Sequence, residues 1–185
     1  MTGAYAGILN GGSAVAPYGL RDLSLKGEET PLIGQIGGMG ARVISDTAAK
    51  ELTWMMTQVV QSGTGQRAQL GDRPVAGKTG TTSEARDAWF IGFTADYVTG
   101  VWMGYDNNTP LAGVTGGGIP AEIWHEVMVR VEEGLPITPL PVIIPEPREP
   151  PAPGTDPTPI PPADGGQPST DPFTAVLQQL LGNGN

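Results

Sequence analysis

A single lysine stands between glycines and threonines in the segment GDRPVAGKTGTT, residues 71 to 82. Such a lysine is typical of phosphate-binding loops, whose pattern is G-x-x-x-x-G-K-[ST] because glycine amides must wrap the phosphates. Counting back from Gly77, the first glycine of that pattern should occupy position 72, which is Asp72. The glycine and threonines after Lys78 also favour a strand over the helix that such a loop requires. The segment is therefore not predicted to bind a nucleotide.

On a strand, the residues around Lys78 divide between two faces. Alternation directs Lys78 and Gly80 to one side and Thr79 and Thr81 to the other, and a strand end or a twist would let them converge on one ligand. Gly80 leaves room for a substrate close to the backbone. An ammonium group beside hydroxyls and an unpaired edge amide can bind a carboxylate and polarise a carbonyl. The alternative that the residues alone leave open is a surface lysine in a polar hairpin.

Hydrophobic runs predict three strands in this region, over residues 75 to 82, 88 to 95 and 97 to 105. Only a tight turn near Asp96 separates the last two, so we expect an antiparallel hairpin. Its apolar residues fall on both faces, which indicates a sheet covered on both sides. These residues are Trp89, Phe90, Ile91, Phe93, Val101, Trp102 and Met103.

Helical periodicity precedes and follows the strands. Residues 1 to 12 have the pattern of a helix end, and a clear helix begins at Ser45 or Asp46 and stops near Gly63. Another helix begins at Pro120 and stops near Gly134. The residues predicted to face the core are Ala48, Leu52, Met55, Met56 and Val59 in the former, and Ile123, Trp124, Val127, Met128 and Val131 in the latter.

Three other polar motifs receive structural interpretations. GTGQRA, residues 63 to 68, matches a dinucleotide fingerprint but follows a helix instead of a strand, so we interpret it as a turn. Glu84, Arg86 and Asp87 are interpreted as a salt-bridged loop that could form the rim of a site. His125 is the only histidine and lacks a second one at the spacing of a zinc-binding helix, so neither a metal nor another cofactor is predicted.

Composition divides the chain of 185 residues near position 136. Residues 1 to 136 carry the periodic apolar runs, whereas proline dominates residues 137 to 185, for which we predict a mostly disordered tail. Within that tail, residues 172 to 181 could form a short amphipathic helix with a docking role.

The composition also excludes several classes of function. The net charge of -9 argues against a nucleic-acid partner, and the absence of cysteine excludes a disulfide scaffold. No apolar stretch approaches the length of a membrane span.

Several motifs together give the sequence its resemblance to a known family. GKTGTT is followed by RDAWFIGFTADYVTGVWMGYDN, and AYAGILNGG, VVQSGTGQRA and GGGIPAEIWHEVM occur in the same order as in the family. These motifs resemble the C-terminal half of the transpeptidase domain of class A, bifunctional penicillin-binding proteins. The resemblance covers residues 1 to 136. It implies an α+β chain with part of the serine β-lactamase and penicillin-binding transpeptidase fold, in which helices pack on a five-stranded antiparallel sheet.

The resemblance also implies a reaction and a partner. In the family, a serine attacks the D-Ala-D-Ala end of a peptidoglycan stem peptide, and an amine from a neighbouring stem resolves the acyl-enzyme into a cross-link; β-lactams mimic that end and trap the serine. Lys78 would supply positive charge, and the Thr79 and Thr81 hydroxyls would bind the terminal carboxylate. The Thr81 amide would be one oxyanion donor, and Gly80 and Thr82 would complete the substrate-binding strand.

Two of the three catalytic motifs of the family do not occur in this sequence. The chain contains no S-x-x-K and no S-x-N, and Tyr105-Asp106-Asn107 follows the Lys-Thr-Gly strand where the second motif should precede it. We therefore expect the chain alone to be inactive and not acylated by penicillin. The missing N-terminal half of the domain, with two more sheet strands, is the expected partner. The resemblance places the protein in the periplasm or another extracytoplasmic site, anchored to the inner membrane through upstream sequence, with no membrane contact by this segment.

Two further functions remain open from the sequence. One is a β-lactamase-related hydrolase, which shares the lysine chemistry but hydrolyses its acyl-enzyme. The other is a non-catalytic D-Ala-D-Ala binding module that keeps the carboxylate subsite without the serine. Stoichiometric trapping by β-lactams distinguishes a transpeptidase from the hydrolase, and cooperative folding of the isolated chain with ligand binding favours the module.

Overall fold

A computed structural model describes residues 1–27, 30–34 and 37–146 of the chain. Three α-helices and five strands are defined there: α1 (Thr2–Leu9), β1 (Asp22–Leu23), β2 (Ile33–Gly34), α2 (Asp46–Gln61), β3 (Ala76–Thr81), β4 (Asp87–Phe93), β5 (Val98–Gly104) and α3 (Ile119–Val131). One short 3-10 helix, Gln66–Ala68, lies between α2 and β3, and another, Ser83–Ala85, lies between β3 and β4. The predicted tail beyond residue 146 and its amphipathic segment lie outside the described residues.

The main sheet has three antiparallel strands in the order β3-β4-β5. Lys78 pairs with Ile91 across β3 and β4, and Ile91 pairs with Gly100 across β4 and β5. The predicted hairpin is confirmed, because Phe93 pairs with Val98 and the Thr94 amide donates to the Tyr97 carbonyl at 3.1 Å. β1 and β2 form a separate two-stranded antiparallel sheet.

Each face of the main sheet carries its own hydrophobic core, as the two-faced apolar pattern predicts. On one face, α3 packs Trp124 and Met128 against Phe90, with the two aromatic rings edge to face at a centroid distance of 5.4 Å. On the other face, α1 and α2 cover Phe93 and Ala76. Directly opposite residues share a face, so Thr79 and Phe90 belong to the α3 side. Lys78 and its partner Ile91 therefore belong to the α1 side.

The core-facing side of α2 differs from the prediction by about one residue. Ser45 caps this helix as expected, accepting from the Ala48 amide at 3.1 Å. The buried residues are Ala49, Thr53, Met56, Thr57 and Val60, while Ala48 and Met55 are exposed. The buried threonines are tolerated because the hydroxyls of Thr53 and Thr57 donate to helix carbonyls.

The prediction for α3 is wrong for three of its five core-facing residues. Trp124 and Met128 are buried, but Ile123, Val127 and Val131 are about 40% exposed, at 41%, 39% and 41%. The helix begins with Pro120 near its start and Gly134 follows its end in a left-handed conformation with φ of 78°, both as predicted. One bulky indole fills the space over the sheet, so the helix is rotated to centre Trp124, with Ala121 and Met128 beside it.

The packed part of the chain continues beyond the boundary predicted at residue 136. Leu140 is buried in the same core as Met56 and Phe93. Arg73 fastens the start of this segment by donating to the carbonyls of Leu135 at 2.8 Å and Pro136 at 3.0 Å. The segment after α3 can pack without forming a helix or a strand, because the Arg73 side chain satisfies its backbone carbonyls.

Within the described residues, no helix has the length and hydropathy to cross a bilayer.

Candidate functional site

Lys78 lies in the middle of β3, at the outer end of the strand order, so one edge of its strand is not covered by another strand of the described residues. The segment before it, Ala76 and Gly77, is buried, and Lys78 itself is exposed. Gly77 allows this burial, because a Cβ there would lie 2.7 Å from the Phe90 ring. The sequence thus brings the strand out of the core at the position of the lysine.

Hydrogen-bond alternation shows which amides point to the open edge. The Thr82 amide donates to the Asp87 carbonyl at 3.0 Å, so residues 82 and 87 form a hydrogen-bonded pair. In an antiparallel ladder such pairs alternate with non-bonded ones, which makes Thr81 and Ala88 a non-bonded pair. The main-chain groups of Thr79 and Thr81 therefore point away from β4, toward the open edge. Within residues 1–27, 30–34 and 37–146, the Thr81 amide has no hydrogen-bond acceptor.

The Lys78 side chain projects from the face of the sheet opposite to Thr79, but its ammonium group bends round to the open edge of β3. Its Nζ donates to the Thr79 carbonyl at 2.8 Å, which itself points outward. Among the ion pairs of the described residues, none involves Lys78. The edge therefore combines an uncompensated positive charge with a free amide, which suits an anionic ligand.

The hydroxyls of Thr79 and Thr81 each have a partner from outside β3. Thr79 Oγ1 is 2.7 Å from Thr64 Oγ1. Thr81 Oγ1 accepts from the Gly116 amide at 3.0 Å. A hydroxyl has one hydrogen to donate, and the Gly116 contact uses only a lone pair of Thr81. The Thr81 hydroxyl is therefore free to donate to a ligand.

The glycines of the loop before α3 permit this contact. A Cβ on Gly116 would lie 2.2 Å from the Trp89 carbonyl oxygen, and one on Gly117 would lie 2.1 Å from the Thr64 carbonyl oxygen. Both distances are far below van der Waals contact, so only glycine lets the loop lie this close to β4 and to the turn at Thr64. Gly118 is less restricted, with its nearest atom at 3.3 Å.

The remaining predicted site residues fall into two groups. Gly80 pairs with Trp89 and faces the side opposite Thr79 and Thr81. Thr82 is turned toward the β3–β4 connection, where its Oγ1 accepts from the Asp87 amide at 2.8 Å. The Lys78 ammonium therefore contacts the main chain at the open edge, the Thr79 and Thr81 side chains project from the other face, and the Thr82 hydroxyl fixes the end of the strand.

The polar loop after β3 is the salt-bridged structure that the sequence indicates. Glu84 and Arg86 form an ion pair at 2.5 Å, and Arg86 also donates to the Asn108 carbonyl at 2.6 Å. Asp87 accepts from the Trp102 indole at 2.9 Å. Glu84 has a left-handed φ of 61°, which is uncommon for a residue with a side chain.

Sequence reasoning missed Thr64 and Gly116. GTGQRA forms a turn and a 3-10 helix as interpreted, but its threonine was not identified as a neighbour of Thr79. No sequence signal gives that proximity, because residues 64 and 79 meet only through the packing of α2 on β3. His125 contacts the Gln69 carbonyl through Nδ1 at 2.7 Å. No cluster of potential metal ligands occurs within the described part of the chain.

Comparisons with known proteins identify the family. Residues 1–129 match the model of the penicillin-binding protein transpeptidase domain. Penicillin-binding protein 1A of Aquifex aeolicus is 46% identical over 83 residues, which are 44% of this chain and 11% of that protein. Penicillin-binding protein 1A of Neisseria meningitidis serogroup A is 36% identical over 132 residues, 68% of this chain and 16% of that protein.

The fold is also similar to solved structures. The penicillin-binding protein PonA1 of Mycobacterium tuberculosis superposes with a TM-score of 0.65 at 26% identity, over 85% of this chain and 46% of that one. The same protein in complex with penicillin V gives a TM-score of 0.61 at 26% identity, over 80% of this chain and 40% of that one. The chain thus spans less than half of each solved structure and about a tenth to a sixth of the two proteins 1A.

Proposed function

Because this chain belongs to the penicillin-binding protein transpeptidase family, we propose that its β3 edge is the substrate-binding strand of a serine DD-transpeptidase. The substrate is the D-Ala-D-Ala end of a peptidoglycan stem peptide, and the product is a cross-link between stems. The observation that carries the proposal is that the Lys78 ammonium contacts the Thr79 carbonyl at the open edge of β3, to which strand alternation also directs the Thr81 amide.

The groups at the edge divide the work of binding and catalysis. The terminal carboxylate of the donor peptide accepts from the Thr79 and Thr81 hydroxyls in the field of Lys78. The Thr81 amide donates to the carbonyl oxygen as it gains charge in the tetrahedral intermediate, which is where a fixed donor lowers the barrier. Gly80 keeps the strand narrow enough for the substrate to lie along it, and Thr82 holds the strand end through Asp87.

The nucleophile comes from polypeptide outside these residues, because the chain contains neither S-x-x-K nor S-x-N. Its serine Oγ attacks the penultimate D-Ala carbonyl, the C–N bond breaks, and D-alanine leaves with a proton on its amine. The amine of a second stem then attacks the acyl-serine, so that the peptide bond is remade and the serine is regenerated. Oxyanion and carboxylate groups alone have no acyl-enzyme to stabilise, so this chain by itself is inactive.

The outer edge of β5 supports a partner that continues the sheet. Since Thr94 and Tyr97 form a hydrogen-bonded pair, alternation turns the main-chain groups of Gly100 and Trp102 away from β4. Trp102 is also 45% exposed. An open edge of this kind is a template for another strand. We propose that the serine-bearing half of the domain supplies it.

The family also supports proposals about inhibitors and location. A β-lactam carries a carboxylate next to an acylating carbonyl, and the solved relative PonA1 is described in complex with penicillin V. By the same chemistry the edge would hold the β-lactam carboxylate. The reaction acts on peptidoglycan, so the domain works outside the cytoplasm, held at the membrane by sequence other than these residues.

An assay of D-alanine release tests the function. The assembled enzyme, containing these residues and the serine-bearing half, is given an N-acylated D-Ala-D-Ala peptide with and without an acceptor amine. We expect Lys78→Ala to lower the rate of release roughly 10² to 10³ fold, the usual effect of losing one electrostatic contact in such a site. Lys26→Ala, which changes another exposed lysine, serves as the matched control. Equal rates for the two variants would contradict the proposal.

A further inference from the structure

Thr64 occupies an unusual position for a threonine that is not part of the core. It lies between α2 and the 3-10 helix Gln66–Ala68, is exposed, and has its Oγ1 2.7 Å from Thr79 Oγ1. A hydrogen bond between exposed side chains contributes little to folding, because water offers the same partners. Stability therefore does not explain why this hydroxyl is placed against the one at Thr79.

The backbone on both sides of Thr64 is fixed. The Gly63 amide donates to the Gln58 carbonyl at 3.0 Å, and the Gly65 amide donates to the Val59 carbonyl at 2.8 Å. Both glycines pack too closely for an ordinary side chain, since a Cβ on Gly63 would lie 2.9 Å from Val59 and one on Gly65 would lie 3.1 Å from Phe90. The turn thus holds the Thr64 hydroxyl in position against Thr79.

The direction of the hydrogen bond decides what Thr79 can bind. Two hydroxyls in contact share one hydrogen, so either Thr64 donates to Thr79 or the reverse. If Thr79 donates to Thr64, its only hydrogen is used and it cannot donate to a carboxylate. If Thr64 donates, the Thr79 hydrogen is free, and accepting one bond strengthens Thr79 as a donor.

The Thr81 hydroxyl already accepts one hydrogen bond and keeps its own hydrogen free to donate. The Gly116 amide can only donate, so it fills an acceptor position of Thr81 Oγ1 and leaves the hydroxyl hydrogen free. Gly117 of the same loop packs against the Thr64 carbonyl oxygen. The loop therefore supports Thr64 and Thr81 together, and both β3 hydroxyls can present a hydrogen to the same side of the strand.

We propose that Thr64 is a positioning residue for carboxylate recognition: it donates to Thr79 Oγ1 and thereby directs the Thr79 hydrogen to the terminal carboxylate of the donor peptide or β-lactam. The inference rests on the proposed function of the β3 edge and adds a residue outside that strand to it. Thr64 acts through Thr79 and does not itself contact the ligand.

The test measures acylation of the assembled enzyme by a penicillin and by the methyl ester of the same penicillin. Thr64→Val removes the hydroxyl and keeps the shape, Thr64→Ser restores the hydroxyl, and Thr47→Val changes an exposed threonine on α2 as a control. We expect Thr64→Val to slow acylation by the free acid roughly three- to tenfold, the size of one hydrogen bond between neutral groups. Acylation by the ester should change less than about twofold, and Thr64→Ser should stay near the parent enzyme.

A double-variant comparison separates positioning from a general structural role. If Thr64 works through Thr79, Thr64→Val combined with Thr79→Val should be no slower than Thr79→Val alone. Multiplying effects, or equal losses with the acid and the ester, would overturn the inference while leaving the proposed function intact. Failure of the parent enzyme to react with either probe would overturn the proposed function, and the inference with it.

Discussion

The buried ion pair between Arg73 and Glu132 gives the most quantitative prediction. The Arg73 and Glu132 side chains are only 8% and 4% exposed, and the Nη1 of Arg73 is 3.1 Å from Glu132 Oε2. That Oε2 has no geometrically satisfactory hydrogen bond, so the ionic contact is its main compensation. The other carboxylate oxygen accepts from the buried Thr94 hydroxyl. Arg73→Met would leave Glu132 buried without its counter-charge.

The expected loss follows from that geometry. Removing one partner of a buried pair costs about 3 to 5 kcal/mol of unfolding free energy, because the remaining charge is not solvated. Arg73→Met combined with Glu132→Met should recover part of this loss, since no buried charge then remains. The carbonyls of Leu135 and Pro136 lose their donor in both variants, so the recovery should be incomplete.

Urea unfolding followed by tryptophan fluorescence measures these changes, because Trp124 is fully buried. The exposed Arg67–Glu122 pair, at 3.0 Å with both side chains about 60% exposed, at 61% and 59%, is the matched control. Arg67→Met should cost no more than about 1 kcal/mol. If Arg73→Met cost as little as Arg67→Met, or if the double variant were less stable than Arg73→Met, the buried-charge reasoning would be refuted.

Three other predictions concern packing and pH. Gly116→Ala should prevent the loop from reaching the sheet and so lower both the melting temperature and the rate of acylation, whereas Gly19→Ala, where a Cβ meets nothing within 4 Å, should change neither. Thermal unfolding and a penicillin assay measure the two effects. Trp124→Ala should cost about 3 to 5 kcal/mol in urea unfolding, because it empties the core beside Phe90. Desolvation raises the pKa of Tyr5 above its ordinary value of 10.0, so the folded state holds that proton more tightly and loses stability as pH rises above about 10. Tyr5→Phe should flatten this alkaline decline, and an equal decline in both proteins would show that Tyr5 does not cause it.

The strands and the ends of the helices could be predicted from the sequence because local signals determine them. Ser45 caps α2 through its own hydroxyl, and the turn at Asp96 joins two runs of apolar residues. The two faces of the strand around Lys78 could be predicted for the same reason, since alternation along a strand is a local property. The motif resemblance added the family, which the comparisons show, and the reaction that we propose.

The orientation of each helix and the contacts to β3 could not be predicted in the same way. Ile123 and Trp124 are neighbours with similar hydrophobicity, and only the space over the sheet decides that Trp124 is buried. Thr53 is polar and would be expected at the surface, yet it is buried because its hydroxyl donates to a carbonyl of its own helix. Thr64 reaches Thr79 from fifteen positions earlier in the chain. Such contacts depend on tertiary packing, which periodicity does not encode.

Intact-mass spectrometry after incubation with a penicillin tests the central claim most directly. The chain is measured alone, the serine-bearing half is measured alone, and the two are then measured together. The account predicts no adduct on this chain in any sample, and an adduct on the serine-bearing half that forms rapidly only when this chain is present. A covalent adduct on this chain, or an equally fast reaction of the other half by itself, would contradict the claim that the Lys78 edge completes the site.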